Sequence, residues 1–172
     1  MAILGLRHVP DPILRQRTRR VDRIDNKLQT LIDDMIETLH AESGVGLAAN
    51  QVGIPLRVCV IGIPEEDEIR TLINPEIIVK RGETEQEEGC LSIPNYRGQV
   101  IRATHVRVRA QDRNGKLIRI KAEDNLLAQA LQHEIDHLNG ILYIDHLVNR
   151  DAIWKLVDPE ADAIHNEAAF DD

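Results

Sequence analysis

The sequence predicts an α+β fold, and three observations carry that reading. Two stretches of helical periodicity stand far apart, at residues 26–42 and 124–138. The chain between them carries strand and hairpin signals. Helix and strand do not alternate in the regular way that builds a doubly wound sheet. At 172 residues the chain suits one domain with a real core, 1–172, of which about 148–172 reads as an acidic C-terminal extension. Aromatic residues are 2% of the total, so that core must be built from Leu, Ile, Val and Ala.

Each element has its own warrant. "PDPILR" (10–15) reads as extended or turn structure, because proline restricts itself and the residue before it. In the first helix Leu28, Leu31, Ile32, Met35, Ile36 and Leu39 recur at spacings of three and four, which makes one apolar face. "GVGLAANQVGIP" (44–55) has the wrong composition for a regular element and suggests a tight segment where backbone approaches something closely. "LRVCVIGI" (56–63) reads as a buried strand. "HVRVRAQD" and "KLIRIKA" alternate apolar and polar residues around "RNG", a hairpin signal. The second helix takes Asp124 as its N-cap and stops at Asn139 and Gly140, with Leu127, Ala130, Leu131 and Leu138 facing inward.

Composition excludes some functions. A net charge of −8 argues against a generic nucleic-acid binder, although a local basic patch could survive within it, and no specific nucleic-acid partner is expected. The basic stretch "RQRTRR" (15–20) reads as solvated surface. Two cysteines are too few for a disulfide framework, and Cys59, inside an apolar strand, reads as a small buried hydrophobe. The N-terminus lacks the apolar stretch of a signal peptide, and no run approaches the ~18 apolar residues of a membrane span. A cytoplasmic protein with no membrane partner is expected.

Chemistry enters at "LQHEIDHLNGIL" (131–142). On a helix, residues four apart differ by only about 40° around the axis, so His133 and His137 share a face that could grip one metal ion, with Glu134 beside it. Three sources for a third ligand compete. The protease pattern HExxHxxGxxH continues as far as Gly140, but its ligand position holds Tyr143. A later glutamate, Glu160 or Glu167, lies in the acidic tail. Cys90, in "EEGCLSIP", offers a thiolate on a short extended piece between Gly89 and Pro94, and would leave a fourth position for water.

Three segments together resemble the signature motifs of the bacterial peptide deformylases: "GVGLAANQ" (44–51), "EGCLS" (88–92) and "QHEIDHLNG" (132–140). Any one is moderately specific; three in this order, in a chain of this size, are very specific. The resemblance runs from about Val9 to about Leu147. It implies antiparallel β-sheets packed around a central metal-binding helix bearing HExxH, with a second long N-terminal helix. It implies hydrolysis of the formyl group from the N-terminal formylmethionine of nascent peptides, releasing formate. Cys90, His133 and His137 would hold the metal, Glu134 would be the general acid and base, and Gln51 with the Leu91 N–H would face the carbonyl oxygen. Gly44, Val45, Gly46, Gly89, Arg97, Leu126, Ala130 and the His133 ring would bind substrate. For Arg97 a plain surface charge is an equal reading. Glu88 and Arg102 match a pair that braces the metal loop. The metal would be Fe(II) physiologically, with zinc, nickel or cobalt able to use the same ligands.

The chemistry explains these residue types independently. Amides are poor electrophiles and neutral water is a poor nucleophile; a divalent ion acidifies water towards ~7 in favourable zinc sites. Glu134 sits off the ligand face yet close enough to take a proton and return it to the departing amine. Gln51 donates to an oxyanion without adding a titratable charge, and each such donor is worth ~2.7–4 kcal/mol.

The resemblance weakens in places. Gln86 falls where an aliphatic wall of the methionine pocket is expected, and Asn125 replaces a frequent glycine, with little consequence because Asn tolerates left-handed geometry. The tail (158–172) holds six acidic residues and no Lys or Arg, so a basic ribosome-docking helix is absent, and His165 within it reads as solvated. Transient ribosome contact is left to the "RQRTRR" stretch. Two rivals remain: a zinc peptidase, which predicts a dispensable Cys90 and an essential downstream glutamate, and a metal-stabilised interaction module without turnover.

Overall fold

The structure is a computed structural model that describes residues 2–157. Glu160, Glu167, His165 and the acidic tail therefore lie outside the described residues. Helix α1 is Asn26–Ala41, opened by Asp25, whose side chain accepts the Leu28 N–H at 2.9 Å. Strands β1 (Gly46–Ala48), β2 (Val58–Ile61) and β3 (Arg70–Arg81) follow. Next come β4 (Thr84–Cys90), β5 (Ile93–Arg102), β6 (His105–Gln111) and β7 (Leu117–Glu123). Helix α2 is Leu126–Leu138, and β8 is Ile153–Lys155. Elements that run as antiparallel strands and two separated helices make an α+β fold, as the sequence predicts.

The strands form two sheets, one in the order β1-β2-β3-β6-β7 and one in the order β4-β5-β8. All paired strands are antiparallel. The larger sheet is covered on both faces at its β1–β2 end. Cys59, Ile61 and Leu72 pack with Leu131, Ile135 and Leu138 of α2. Val58, Val60 and Ile73 pack with Ile32, Met35 and Leu39 of α1. This double cover is why β2 is an unbroken apolar run with all four residues buried. β6, with one covered face, alternates instead: Val106, Val108 and Ala110 are buried while Arg107 and Arg109 are exposed. The predicted hairpin is present, pairing His105 with Glu123 through to Gln111 with Leu117.

Several expectations need correction. Asp124 does not cap α2; it takes a left-handed conformation (φ +48°), and Asn125 is the cap, its Oδ1 accepting the Ala128 N–H at 2.9 Å. The left-handed residue before the helix is thus the aspartate, and Asn125 itself is extended (φ −141°). The segment at 44–55 is more regular than its composition suggests: β1 pairs with β2, and Ala49–Val52 make one 3-10 turn. Strands β3, β4, β5 and β8 carry no clear sequence signal. β3 contains Pro75 at a register shift between Ile73 and Glu76, a bulge where proline costs no ladder bond. β4 is the polar edge of its sheet, and β8 falls in the stretch read as a C-terminal extension.

Candidate active site and metal centre

Helix α2 lies against β1 and β2, and its C-terminal end is tied down by side chains from elsewhere. Asn50 donates to the His137 carbonyl at 2.6 Å, and the Leu138 carbonyl accepts from Thr18 (2.9 Å) and Arg57 (3.2 Å). These donors satisfy the last-turn carbonyls that a helix leaves unpaired. At the middle of the helix, Gln132 bonds both the N–H and the carbonyl of Ala103, at 2.8 and 3.0 Å. The face that carries His133 and His137 is therefore fixed at the middle and the C-terminal end of the helix.

Cys90 closes β4, and its Sγ lies 3.2 Å from His137 Nε2, which lies 3.2 Å from His133 Nε2. The three ligand atoms all fall within 4.8 Å of one another. Each imidazole turns its Nε2 to one shared point. For His133 the cause is visible: its Nδ1 donates to Glu88 Oε1 at 2.7 Å, which turns Nε2 towards Cys90. His137 is held neutral, because burial drives its pKa well below the usual histidine range and His133 adds to the effect. Burial also opposes charge on His133, but contact with Cys90 and Glu88 outweighs it, and the shift is upward. The point between thiolate and imidazole thus favours positive charge. One thiolate and two imidazoles aimed there suit a borderline divalent cation, so the residues fit a metal.

Behind the ligands stands a buried ionic brace. Arg102 is 2% exposed and donates to both oxygens of Glu88 at 2.7 Å and to Asp136 at 2.6 Å. Asp136 also meets His146 at 3.0 Å. The pair expected between Glu88 and Arg102 is present, and Asp136 and His146 extend it. The Glu88 carboxyl loses solvation by burial, yet Arg102 and His133 bring its pKa down to about 2.

Glu134 is 4% exposed, and burial pushes its pKa up to about 7 against the opposing pull of His133. Its Oε2 is buried with no partner among the described residues. The backbone of β1 passes directly over it: a Cβ on Gly46 would fall 2.5 Å from Glu134 Oε1. That position needs glycine because any side chain would strike the carboxylate. Gln51 is buried, and its Oε1 accepts the Ala48 N–H at 2.9 Å. The amide is thereby oriented with its NH2 towards the site, 3.1 Å from Ser92 Oγ and 3.6 Å from Cys90 Sγ.

These groups open onto a cavity of about 540 Å3. Of the residues expected from the sequence, Gly44, Val45, Gly46, Gln51, Gly89, Cys90, Leu91, Arg97, Leu126, Ala130, His133 and Glu134 all line it. His137 stands behind them, buried. Arg97 is engaged by Glu87 rather than free. Tyr143, at the position of a third histidine in the protease pattern, lies buried with its ring stacked near that of His133, centroids 6.3 Å apart. Sequence reasoning missed Ser92, Gln129, Asp136, His146 and Leu156. Ser92 and Asp136 sit inside the quoted motifs, so spacing could have raised them; for the others no local signal exists.

The comparisons with known proteins agree with this geometry. The profile of the family described as Polypeptide deformylase matches residues 3–152. A peptide deformylase from Dehalococcoides mccartyi is 49% identical over 156 residues, which are 91% of this chain and 93% of that protein. One from Halothermothrix orenii is 50% identical over 148 residues, 86% of this chain and 96% of that protein. Among solved structures, a peptide deformylase from Synechococcus elongatus in complex with actinonin superposes with a TM-score of 0.82 at 42% identity, covering 86% of this chain and 80% of that one. Both sequence and fold therefore agree over most of the length, and the chain belongs to the polypeptide deformylase family.

Proposed function

We propose that Cys90, His133 and His137 hold one divalent cation, that Glu134 moves the proton, and that Gln51 with the Leu91 N–H faces the carbonyl oxygen. The reaction is that of the family: hydrolytic removal of the N-formyl group from nascent peptides, releasing formate. The convergence of three ligand atoms within 4.8 Å beside a buried glutamate carries the assignment. A cation bound there supplies Lewis acidity, acidifying water and polarising the formyl carbonyl. Glu134, with a pKa of about 7, can accept the water proton near neutral pH and deliver it to the amine nitrogen as the C–N bond breaks. The pinned Gln51 amide can donate to the oxygen as it gains charge.

Two sheet edges, unpaired among the described residues, support a placement for the substrate. β1 borders the larger sheet and β4 the smaller, and both line the cavity, so an extended peptide can pair between them. Methionine would enter the pocket of Val45, Leu126, Ala130 and the His133 ring, with Gly44, Gly46 and Gly89 admitting the backbone. The single domain 1–172, organised around α2 as the metal-binding helix, would bring all of these together. Fe(II) as the physiological ion rests on the family resemblance, and the donor set is equally open to zinc, nickel or cobalt. A cytoplasmic location is supported by the thiolate the site requires, since a reducing compartment preserves it. No helix among the described residues is long and apolar enough to cross a membrane. Ribosome contact would fall to the exposed Arg17, Arg19 and Arg20.

The test is formate release from a formyl-Met tripeptide, with protein purified without oxygen and loaded with Fe(II) or Ni(II), beside an acetyl-Met peptide. Glu134→Gln is expected to keep the metal and lose about 10²–10⁴ in turnover, the usual contribution of a general base. Normal turnover in that variant would remove Glu134 from the mechanism.

A further inference from the structure

Residues 2–11, which precede the 3-10 turn Pro12–Arg15, form a strap that bonds to both halves of the site. Its outer end is fixed to α1: the Ala2 N–H donates to Asp34 at 2.7 Å and the Leu4 N–H to Thr38 Oγ1 at 2.8 Å. Leu4 and Leu6 pack into the α1 cluster, which Leu91 also joins. Further along, the Arg7 N–H donates to the Gln51 carbonyl at 2.7 Å, and the Val9 N–H donates to the Ser92 carbonyl at 3.0 Å. Leu6 and His8, which alternate with these donors, line the catalytic cavity.

These two bonds fall on the two segments that would face the carbonyl oxygen of the substrate. Gln51 sits in the 3-10 turn Ala49–Val52, whose Ala49 and Asn50 carbonyls are taken by the Ile54 and Gly53 N–H groups. The Gln51 carbonyl has no partner within that turn, and the Arg7 N–H supplies one. The strap lies close over the turn, since a Cβ on Gly53 would fall 2.8 Å from the Arg7 guanidinium. Residues 91 and 92 form the turn between β4 and β5, so the Val9 bond anchors the segment that carries the Leu91 N–H. One turn follows β1 of the larger sheet and the other joins two strands of the smaller, so the spacing of the two donors is a spacing between sheets. The direct link across that gap, from the Gln51 amide to Ser92 Oγ at 3.1 Å, occupies one of the two hydrogens of the donor itself. The strap bonds occupy neither.

We propose that the main-chain N–H groups of Arg7 and Val9 are positioning groups for catalysis, which set the distance between the Gln51 amide and the Leu91 N–H. The proposal rests on the deformylase reading and deepens it. Donors to a developing oxyanion act only when held at the right separation, and their displacement costs rate more than substrate binding. Among the described residues, none of the strap's hydrogen bonds goes to Cys90, His133 or His137. Loosening the strap therefore leaves the metal site intact.

The test uses the full, metal-loaded protein and formate release from a formyl-Met tripeptide. Arg7→Pro deletes one of the two N–H groups, and kcat should fall by about 10–100-fold with KM and metal affinity near the parent's. Gly5→Pro puts the same ring where no strap hydrogen bond is lost and a Cβ meets nothing within 4 Å, and its kcat should match the parent's. Arg7→Ala, which loses the guanidinium and keeps the N–H, should fall far less than Arg7→Pro. The deciding measurement repeats Arg7→Pro in a Gln51→Ala background. Because the strap acts through Gln51, the further loss there should shrink to about twofold. Hydrogen exchange needs no proline: in Glu134→Gln, bound formyl-Met tripeptide should slow exchange at the Arg7 and Val9 N–H groups and leave Leu4 unchanged. A loss of equal size in both backgrounds, parent-like kcat in Arg7→Pro, or exchange that peptide does not alter overturns the positioning role and leaves deformylation standing. No formate from the parent at full metal occupancy overturns the reading on which the proposal rests.

Discussion

Replacing Arg102 by methionine should destabilise the protein and loosen the metal site together, and the structure allows the size to be worked out. Arg102 is 2% exposed and holds two buried carboxylates, Glu88 through both oxygens at 2.7 Å and Asp136 at 2.6 Å. Methionine fills much the same volume, so the loss is chiefly electrostatic. Breaking a buried ion pair by removing one partner costs about 3–5 kcal/mol, because the other charge is left uncompensated. Asp136 retains His146 at 3.0 Å, so Glu88 bears most of the penalty. At about 2–4 °C per kcal/mol for a domain of this size, the melting temperature should fall by about 6–20 °C. Glu88 also fixes His133 through Nδ1, and loss of such an outer hydrogen bond typically costs about 10–100-fold in metal affinity. Differential scanning calorimetry and competitive zinc titration measure the two effects. Arg102→Met/Glu88→Gln should recover part of the stability, since it removes the orphaned charge. A melting temperature within 2 °C of the parent, with unchanged affinity, would refute the claim that this brace supports the site.

Cys90→Ser should weaken metal binding or change which ion is held, read by stoichiometry and competition with a chelator; unchanged values would argue against thiolate ligation. Gly46→Ala puts a Cβ 2.5 Å from Glu134 Oε1, so it should cut kcat while metal content stays near one per chain, and normal kcat would mean that this backbone approach is not needed. Acid should act through Glu88, whose pKa is about 2 in the folded chain against an ordinary 4.5. A lowered carboxyl stabilises the fold above its unfolded pKa, and here that is worth about 3 kcal/mol, lost as pH falls from about 4.5 towards 2. Urea unfolding of metal-free protein across that window should show the slope in the parent and a flatter one in Glu88→Gln; equal slopes would exclude Glu88 as its source.

Much of the site was legible because its residues are local in sequence. His133, Glu134 and His137 share one helix, and helical periodicity alone sets their relation. Cys90 and Gln51 are different, since 43 residues separate Cys90 from His133 and no spacing rule joins them (133 − 90). They were reached through resemblance, while the residues alone left three third-ligand candidates open. The fold shows the same division. α1 and the β6–β7 hairpin each bury one regular face and so write a period into the sequence, while β2, covered on both faces, writes an unbroken apolar run. β4 writes none, because an edge strand of glutamates is held by its ladder with β5 and by Arg97 and Arg102. Asp124 misled for a related reason: aspartate is a good cap, but its left-handed turn hands that role to Asn125.

The buried charges explain one another when taken as a set. Glu88 and Asp136 are each bonded to Arg102, and their pKa values are lowered despite burial. Glu134, two residues before Asp136 on α2, makes no such bond; burial dominates it, and Glu88 and Asp136 add repulsion. Burial thus raises the third carboxyl to about 7, with Glu88 and Asp136 adding to the rise and His133 and Arg102 opposing it. A glutamate at that pKa holds or releases a proton with little free-energy cost near neutral pH, which is the property a proton shuttle needs. A base with an arginine of its own would be locked ionised and could not return the proton to the amine. The absence of a cationic side-chain partner at Glu134, among the described residues, is thus as much a part of the site as the brace beside it.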